Sequence, residues 1–467
     1  MTHSVHQHWD PLKVCAVGRS FPPEFYSKIG NSKVRSVMER IAIETEEDYQ
    51  KLINILEKFN VKVLRTDVSD NIEDYANCNS QGIVDSPPPM CPRDHSIMIG
   101  DTFYMPGSDY ATNYSVDETM SAVIHHIQQF SDSRTCKMAK IILNSIDGNN
   151  TLSDKGALMK MRSKFRQGSI WEHTKALVNV DDLRELIIQS HTQTIGSNIK
   201  FPNNKKVYAW ESIRKWLKEN KVPIKYDQYI NGATTFRVGK DLIFGNVNEI
   251  DGMFVDSYKK KWGELFPDYR RHTEDVASHV DGMFHPVKPG LIVTACPPDR
   301  FKKSFPDWEV VRVDQKESWK NVDGFLKIKR KNKGRWWIPG EENNEDLYDY
   351  IENWLNHWVT YVEETVFDVN MFVINEKNVI VNGYNKDVYD AFERHGITPH
   401  PLPLRHRFFW DGGLHCITTD LSREGERVDY FPDRGDSVPD NPQKDIGKEL
   451  WKPKPLEKWD TRRIRNV

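Results

Sequence analysis

The sequence predicts an α/β fold assembled from five repeated helix-and-strand modules rather than from one doubly wound sheet. Three observations carry this expectation. An amphipathic helix that ends at Asn, Gly or a Pro-containing turn and runs into a short β-branched strand recurs five times. After each copy a loop of variable length leads to a compact apolar strand. An early strand, "KVCAVG" at Lys13 to Gly18, precedes the first helix and has no module of its own, so it can close the set by pairing with the last one.

In chain order, the first copy is "EEDYQKLINILEKFNVKVLRTD", where Leu52, Ile55, Leu56 and Phe59 share a helical face and Val61 to Leu64 follow as strand. Its compact strand is "SIMIGDTF". The second, "AWESIRKWLKENKVPIKYD", is followed by "DLIFGNV", and the third, "SYKKKWGELFPDYRRHTED", by "PGLIVTAC". A shorter fourth copy, "DRFKKSFPDWEVVRVDQ", leads to "FVINEKNVIVNG", and the fifth, "NKDVYDAFERHGITPHPLPLRH", to "LHCITTDL". Helix-then-strand is also ordinary α/β grammar, and any α/β chain offers several such matches. Residues 1–433 are expected to form a single domain. Residues 434–467, rich in proline and charge, read as an extended tail that follows the surface.

A chain of 467 residues can bury a sizeable core. Its mean hydropathy is −0.67 and it has no apolar run of the roughly 20 residues that a membrane span needs. The start, "MTHSVHQHWDPLKVCAVG", lacks the basic and apolar regions of a secretory signal and the Arg-rich helix of a transit peptide, so a soluble, cytoplasmic protein is expected. With 65 basic and 68 acidic residues the net charge is −3, which gives no electrostatic case for nucleic acid or an anionic membrane as partner. The one basic run, "KIKRKNKGR" at Lys327 to Arg335, reads as a solvated loop. The six cysteines, Cys15, Cys78, Cys91, Cys136, Cys296 and Cys416, form no CxxC pair and are expected as thiols, most of them buried as small apolar residues.

The loops between the modules hold the residues with chemical potential. The first carries Asp94 in "CPRDHS", a residue type that also serves as a turn or cap. The second carries Asn231 in "INGATTFRVG", on an extended run. In the third, "SHVDGMFHPVKPG", His279 and Asp281 alternate with apolar residues and are expected on one face of a strand. With His285 they could also ligate a metal, although no further His or Cys stands at ligand spacing nearby. The fifth carries Cys416 in "GGLHCITTDLSREG". His415 is expected on the opposite strand face, so the partner of Cys416 should come from elsewhere, with His279 the best candidate.

These stretches resemble the glycine amidinotransferases and inosamine-phosphate amidinotransferases of the guanidino-group-modifying superfamily. The resemblance spans most of the chain: "WDPLKVCAVGR", "PRDHSIMIGDT", "HVDGMFHPVKPGLIVTACPPDR", "NEKNVIVNG", "FERHGI" and "GGLHCITTDLSREG". The third and last are the specific ones. It implies a five-bladed αβ propeller (pentein fold) with pseudo-fivefold symmetry, no cofactor, small-molecule substrates, and a homodimer as a possible assembly. It also implies that Cys416 attacks the guanidinium carbon of L-arginine to form an amidino-cysteine. His279 would move the protons, Asp94 and Asp281 would grip the guanidinium, and Arg300 would bind the donor's carboxylate. A guanidinium carbon is a poor electrophile, so a strong nucleophile, carboxylates for the planar cation and a proton donor suit this chemistry.

The sequence departs from that family twice. An acidic catalytic position aligns, with one gap, with Asn231, which can fix a histidine tautomer but cannot stabilise an imidazolium as a carboxylate does. Small hydroxyl residues of the donor site align with Glu363 and Glu364. The leading expectation is an arginine-dependent amidinotransferase with glycine as acceptor. The alternatives are an arginine hydrolase of the same superfamily and a non-catalytic arginine-binding homologue.

Overall fold

β-Branched and aromatic runs alternate along the chain with turn residues, and in the computed structural model the described residues form five three-stranded sheets. The structure describes residues 3–68, 88–105, 210–226, 230, 232–245, 262–274, 279–302, 304–355, 358–359, 362, 366 and 368–434. The first sheet holds β1 (Leu12–Val17), β2 (Lys62–Arg65) and β15 (Thr418–Arg423). The second holds β3 (Ile97–Ile99), β4 (Thr102–Met105) and β5 (Ile224–Tyr226), and the third β6 (Thr235–Val238), β7 (Asp241–Gly245) and β8 (Arg270–Glu274). The fourth is β9 (Phe284–Lys288), β10 (Leu291–Thr294) and β11 (Glu309–Arg312), and the fifth β12 (Phe372–Asn375), β13 (Asn378–Val381) and β14 (Thr398–Pro401).

Every sheet has the same plan. A central strand pairs antiparallel with one neighbour and parallel with the other, the parallel partner lying after a helix or helical turn. In the first sheet the antiparallel partner of β1 is β15, with Cys15 opposite Asp420 and Val17 opposite Thr418. The early strand thus pairs with the last module, as expected. The compact strands need refining: after copies one to four each loop leads to a hairpin of two strands, and only the fifth hairpin is made by strands distant in sequence.

The helices lie where the periodicity places them. Ser32–Lys58 starts at Asn31, whose side-chain oxygen accepts from the amides of Lys33 and Val34, and it buries Met38, Ile41, Leu52 and Leu56. Glu211–Glu219 buries Ile213, Trp216 and Leu217, and Lys386–Arg394 buries Val388, Ala391 and Phe392. The fourth copy forms a 3₁₀ turn, Pro298–Phe301, instead of an α-helix. Pro298 and Pro306 bracket a window too short for a stable helix, and proline cannot serve as a donor inside it.

Successive sheets share hydrophobic clusters. Val14 and Ala16 pack with Met98 and Phe103, Ile99 and Tyr104 with Leu242 and Phe244, and Phe236 and Ile243 with Phe284 and Val293. The last cluster also takes in Val373 and Val379, while Phe372 and Ile380 pack with Cys15, Val17 and Leu52 of the first module. Contacts therefore run from each sheet to the next and from the fifth back to the first, each buried Val, Leu, Ile or Phe contributing roughly 1.5–3 kcal/mol.

Between β11 and β12 the chain adds the short helices Gln315–Lys320, Asp323–Ile328 and Glu345–Tyr350, and Trp336, Ile338 and Leu347 pack there on Val34, Met38 and Ile41. The reading of Lys327 to Arg335 as a solvated loop holds for Lys327, Arg330 and Lys333, which are exposed, and is corrected for three others. Lys329, Asn332 and Arg335 are buried, and Arg335 Nη2 donates to the Val359 carbonyl because the run leads into a tryptophan-rich core. Among the described residues no helix is long and apolar enough to cross a membrane. The tail beyond Arg434 lies outside the described residues.

Candidate active site

The segment before β15 is a tight helical turn. The Ile417 amide donates to the Gly413 carbonyl at 3.1 Å, and the Thr418 hydroxyl donates to the Leu414 carbonyl at 2.9 Å. Cys416 is therefore not on the strand, which starts two residues later. The expectation that His415 and Cys416 face opposite ways fails for that reason, since a helical turn does not alternate side chains. Both reach Asp281: His415 Nδ1 lies 2.7 Å from Asp281 Oδ2, and the Cys416 thiol donates to the same oxygen at 3.5 Å.

Asp281 sits in a single helical turn, Val280–Met283, with His279 at its N-cap. The two were expected on one face of a strand, but the extended run begins only at Phe284. The turn is pinned by its last carbonyl, Met283 O, which accepts from the Ala295 amide at 2.8 Å and from the Thr294 hydroxyl at 2.9 Å. Asp281 is fully buried, whereas His279 is half-buried two residues earlier.

A residue that the sequence reading passed over completes this group. Asn370, just ahead of β12, is buried, and its Nδ2 donates to Cys416 Sγ at 2.9 Å while its Oδ1 accepts from the His415 amide at 2.8 Å. A side chain at position 413 could not be accommodated, since its Cβ would lie 2.4 Å from Asn370 Oδ1, so this position needs Gly413. Only the glycine pair ahead of the cysteine hinted at such a close approach.

Asp94 occupies the 3₁₀ turn Pro92–His95. That turn is docked on the cysteine: the Arg93 amide donates to the Cys416 carbonyl at 3.2 Å, and Arg93 Nε donates to the Thr418 carbonyl at 3.0 Å. It also abuts the turn Gly232–Thr234 so closely that a Cβ on Gly232 would lie 2.4 Å from the Arg93 carbonyl. Below it, Asp420 binds three guanidinium groups, with Arg93 Nη1 at 2.7 Å, Arg237 Nη2 at 2.8 Å and Arg423 Nε at 2.7 Å. Burial pushes the Asp420 carboxyl up, but Arg237, Arg93 and Arg423 outweigh it and hold it well below the usual carboxylate range.

Arg300 is buried in the turn Pro298–Phe301, and its charge tempers the upward push of burial on the Cys296 thiol. Asn231, Glu363 and Glu364 lie outside the described residues. The structure thus brings Cys416 and Asp281 into contact, holds the Asp94 turn against the cysteine backbone, and sets His279 at the end of the Asp281 turn.

Behind His415 stand two further buried imidazoles, His285 and His8, with ring centroids 5.1 and 5.4 Å from it. Burial drives all three toward the neutral form, His285 to about 3, with the positive charge of Arg93 adding to the effect on His285 and His415 and that of Arg237 on His8. His415 therefore meets Asp281 as a neutral imidazole. Among the described residues no group of three or more His, Cys, Asp or Glu could hold a metal ion. What remains is a buried thiol with a carboxylate on one side and an amide N–H on the other, an arrangement suited to nucleophilic attack on a cationic carbon centre.

No family model matches the chain. In sequence it is 24% identical over 214 residues to the mitochondrial glycine amidinotransferase of Xenopus tropicalis, a match covering 45% of this chain and 42% of that protein. It is 20% identical over 232 residues to the L-arginine:L-lysine amidinotransferase of Pseudomonas savastanoi pv. phaseolicola, covering 48% of this chain and 53% of that one. Among solved structures, the amidinotransferase SxtG of Microseira wollei aligns over 92% of this chain and 100% of its own at 14% identity, with a TM-score of 0.49. An α/β protein with a buried thiol and carboxylate at its candidate site is the class defined here. The chain is related in sequence to the glycine amidinotransferase family, and the match spans about half the length of these curated relatives.

Proposed function

We propose that this protein is an amidinotransferase that moves the amidino group of L-arginine to an amine acceptor, glycine by resemblance, through a covalent amidino-cysteine on Cys416. The observation that carries this reading is the contact between a buried thiol and a buried carboxylate, Cys416 Sγ and Asp281 Oδ2 at 3.5 Å. A neutral thiol tolerates that neighbour. A thiolate there would be repelled by about 4–5 kcal/mol at an effective dielectric of 20. A guanidinium held by Asp281 offsets the repulsion, so the thiol ionises most readily when the planar cation is in place.

The thiol passes its proton to His279, which later returns the acceptor's proton to the sulfur, and the thiolate attacks the guanidinium carbon. The bond to the side-chain nitrogen breaks, and ornithine leaves with a proton from His279. The acceptor amine, deprotonated by His279, attacks the amidino carbon, the C–S bond breaks, and the product leaves with the thiol restored. In this proposal Asp94 shares the guanidinium with Asp281, Arg300 binds the donor's carboxylate, Asn231 orients His279, and Glu363 and Glu364 line the donor site. The two curated relatives share "amidinotransferase" in their names but differ in the acceptor named, glycine in one and L-lysine in the other, which supports a common reaction with a variable acceptor.

The finer architecture belongs to the same proposal: the five sheets are blades of a five-bladed αβ propeller with pseudo-fivefold symmetry. Its support is the strand plan common to all five, the β15–β1 closure and the chain of shared cores. The cytoplasmic setting expected from the sequence belongs to the same proposal. Incubation with arginine, with and without glycine, followed by mass analysis tests the function. Ornithine and guanidinoacetate formed only with both substrates would support it. Citrulline and ammonia from arginine alone would assign a hydrolase, and neither product nor cysteine adduct would end the covalent reading.

A further inference from the structure

We propose that Asn370 prepares the nucleophile, fixing the Cys416 turn through its side-chain oxygen and stabilising the thiolate through its side-chain N–H. The inference rests on the reading of Cys416 as nucleophile and names a residue which that reading does not contain.

The geometry settles which way the amide points. Two backbone donors, the amides of His415 at 2.8 Å and Cys416 at 3.3 Å, converge on one end of the Asn370 side chain. Only the oxygen can accept them, so the NH₂ group is at the other end, 2.9 Å from Cys416 Sγ. Asn370 is itself held from behind, its carbonyl accepting from Asn382 Nδ2 at 3.3 Å, and Gly413 leaves it the space to approach. One side chain thus locks two successive peptide units and the sulfur they carry. An N–H aimed at sulfur is worth more to a thiolate than to a thiol, because hydrogen bonding to the charged form favours that form.

The charged and titratable groups around the sulfur come from several elements. Asp281 faces it from the turn before β9, and His415 belongs to its own turn. Tyr49 of the first helix feels its charge, and Cys91 and Arg93 approach from the turn before β3. The Asp281 carboxylate opposes ionisation of the thiol, whereas the Asn370 N–H favours the thiolate.

The test is the pH dependence of Cys416 alkylation by iodoacetamide in the full chain, read by peptide mass mapping for wild type, Asn370→Ala and Asn370→Asp. Ala removes the donor without adding charge and should raise the alkylation midpoint by roughly one to two pH units. Asp keeps the oxygen that holds the backbone but loses the donor and adds a negative charge, so its midpoint should lie higher still. A wild-type midpoint in a folded Ala variant, with displacement only in Asp, would show that added charge alone matters and overturns the proposal, as would an Asp midpoint at or below that of Ala. If Ala does not fold by circular dichroism, Asn370→Ser takes its place as the neutral variant. Because alkylation needs no arginine, this result stands apart from adduct formation with arginine, which tests the amidinotransferase reading itself.

Discussion

Two fully buried carboxylates, Asp281 and Asp420, stand on either side of the same turn and are treated in opposite ways. Asp420 is surrounded by the guanidinium groups of Arg93, Arg237 and Arg423. Asp281 meets the His415 imidazole, which burial drives toward its neutral form, and accepts from the Cys416 thiol. A carboxylate encircled by fixed cations is committed to holding the fold. One that touches the thiol and an imidazole is, in the function proposed above, the one that meets the substrate cation. The strand β15 carries the first, and the turn leading into that strand meets the second.

That contrast can be broken or sharpened by substitution. The largest effect is expected from Cys416→Ala, which should abolish turnover and the amidino adduct while leaving the melting temperature close to wild type. Asp281→Asn should follow, lowering kcat/KM for arginine roughly a hundred- to several-thousand-fold, the equivalent of about 3–5 kcal/mol for a cation left without its partner. Its stability should change little, and unchanged arginine kinetics would place Asp281 with the structural carboxylates. Asp420→Asn should do the reverse, costing about 3–5 kcal/mol in denaturant melts because three buried guanidinium groups lose their shared anion.

The pH dependence of stability should carry the same signature. Asp420 is held below its unfolded value near 3.9, so the stability it contributes is present above that pH and is lost as pH falls through the depressed folded value. A second pH signature, negligible at neutral pH, belongs to His285, whose proton burial drives off in the fold down to about 3 while the unfolded chain takes it up below about 6.5. Stability should therefore fall as pH drops across that window. His285→Asn should flatten the slope by about 1.4 kcal/mol per pH unit, checked by urea melts at several pH values. An unaltered slope would show that this imidazole does not titrate on unfolding in that range.

The modular plan was legible because it is written in local periodicity, as in Leu52 and Leu56 of the first helix or Trp216 and Leu217 of the second. Cys416 stood out by its glycines. What sequence could not display was any relation set by tertiary approach. Asn370 sits in "VNMF" with no motif around it, and its role follows from β12 delivering it beneath the turn at Gly413. Period-two reading of "HVDGMF" failed because one helical turn, tied by Thr294 and Ala295 from the next strand, interrupts the extended run. The same limit hid the convergence of His415 and Cys416 on one carboxylate oxygen.

The pairing of β1 with β15 also sets a timetable for a chain still on the ribosome. The two strands are roughly 400 residues apart, so at about 5–20 residues per second the first emerges some 20–80 seconds before its partner exists. During that interval one edge of β1 has no mate and is open to a chaperone or to a neighbouring nascent chain. The thiol's turn directly precedes β15, and the Arg93 amide that holds its backbone comes from the turn before β3, far earlier in the sequence. In the function proposed above, activity would be deferred until the clasp is shut, and an unfinished polypeptide would carry the cysteine without the turn that positions it.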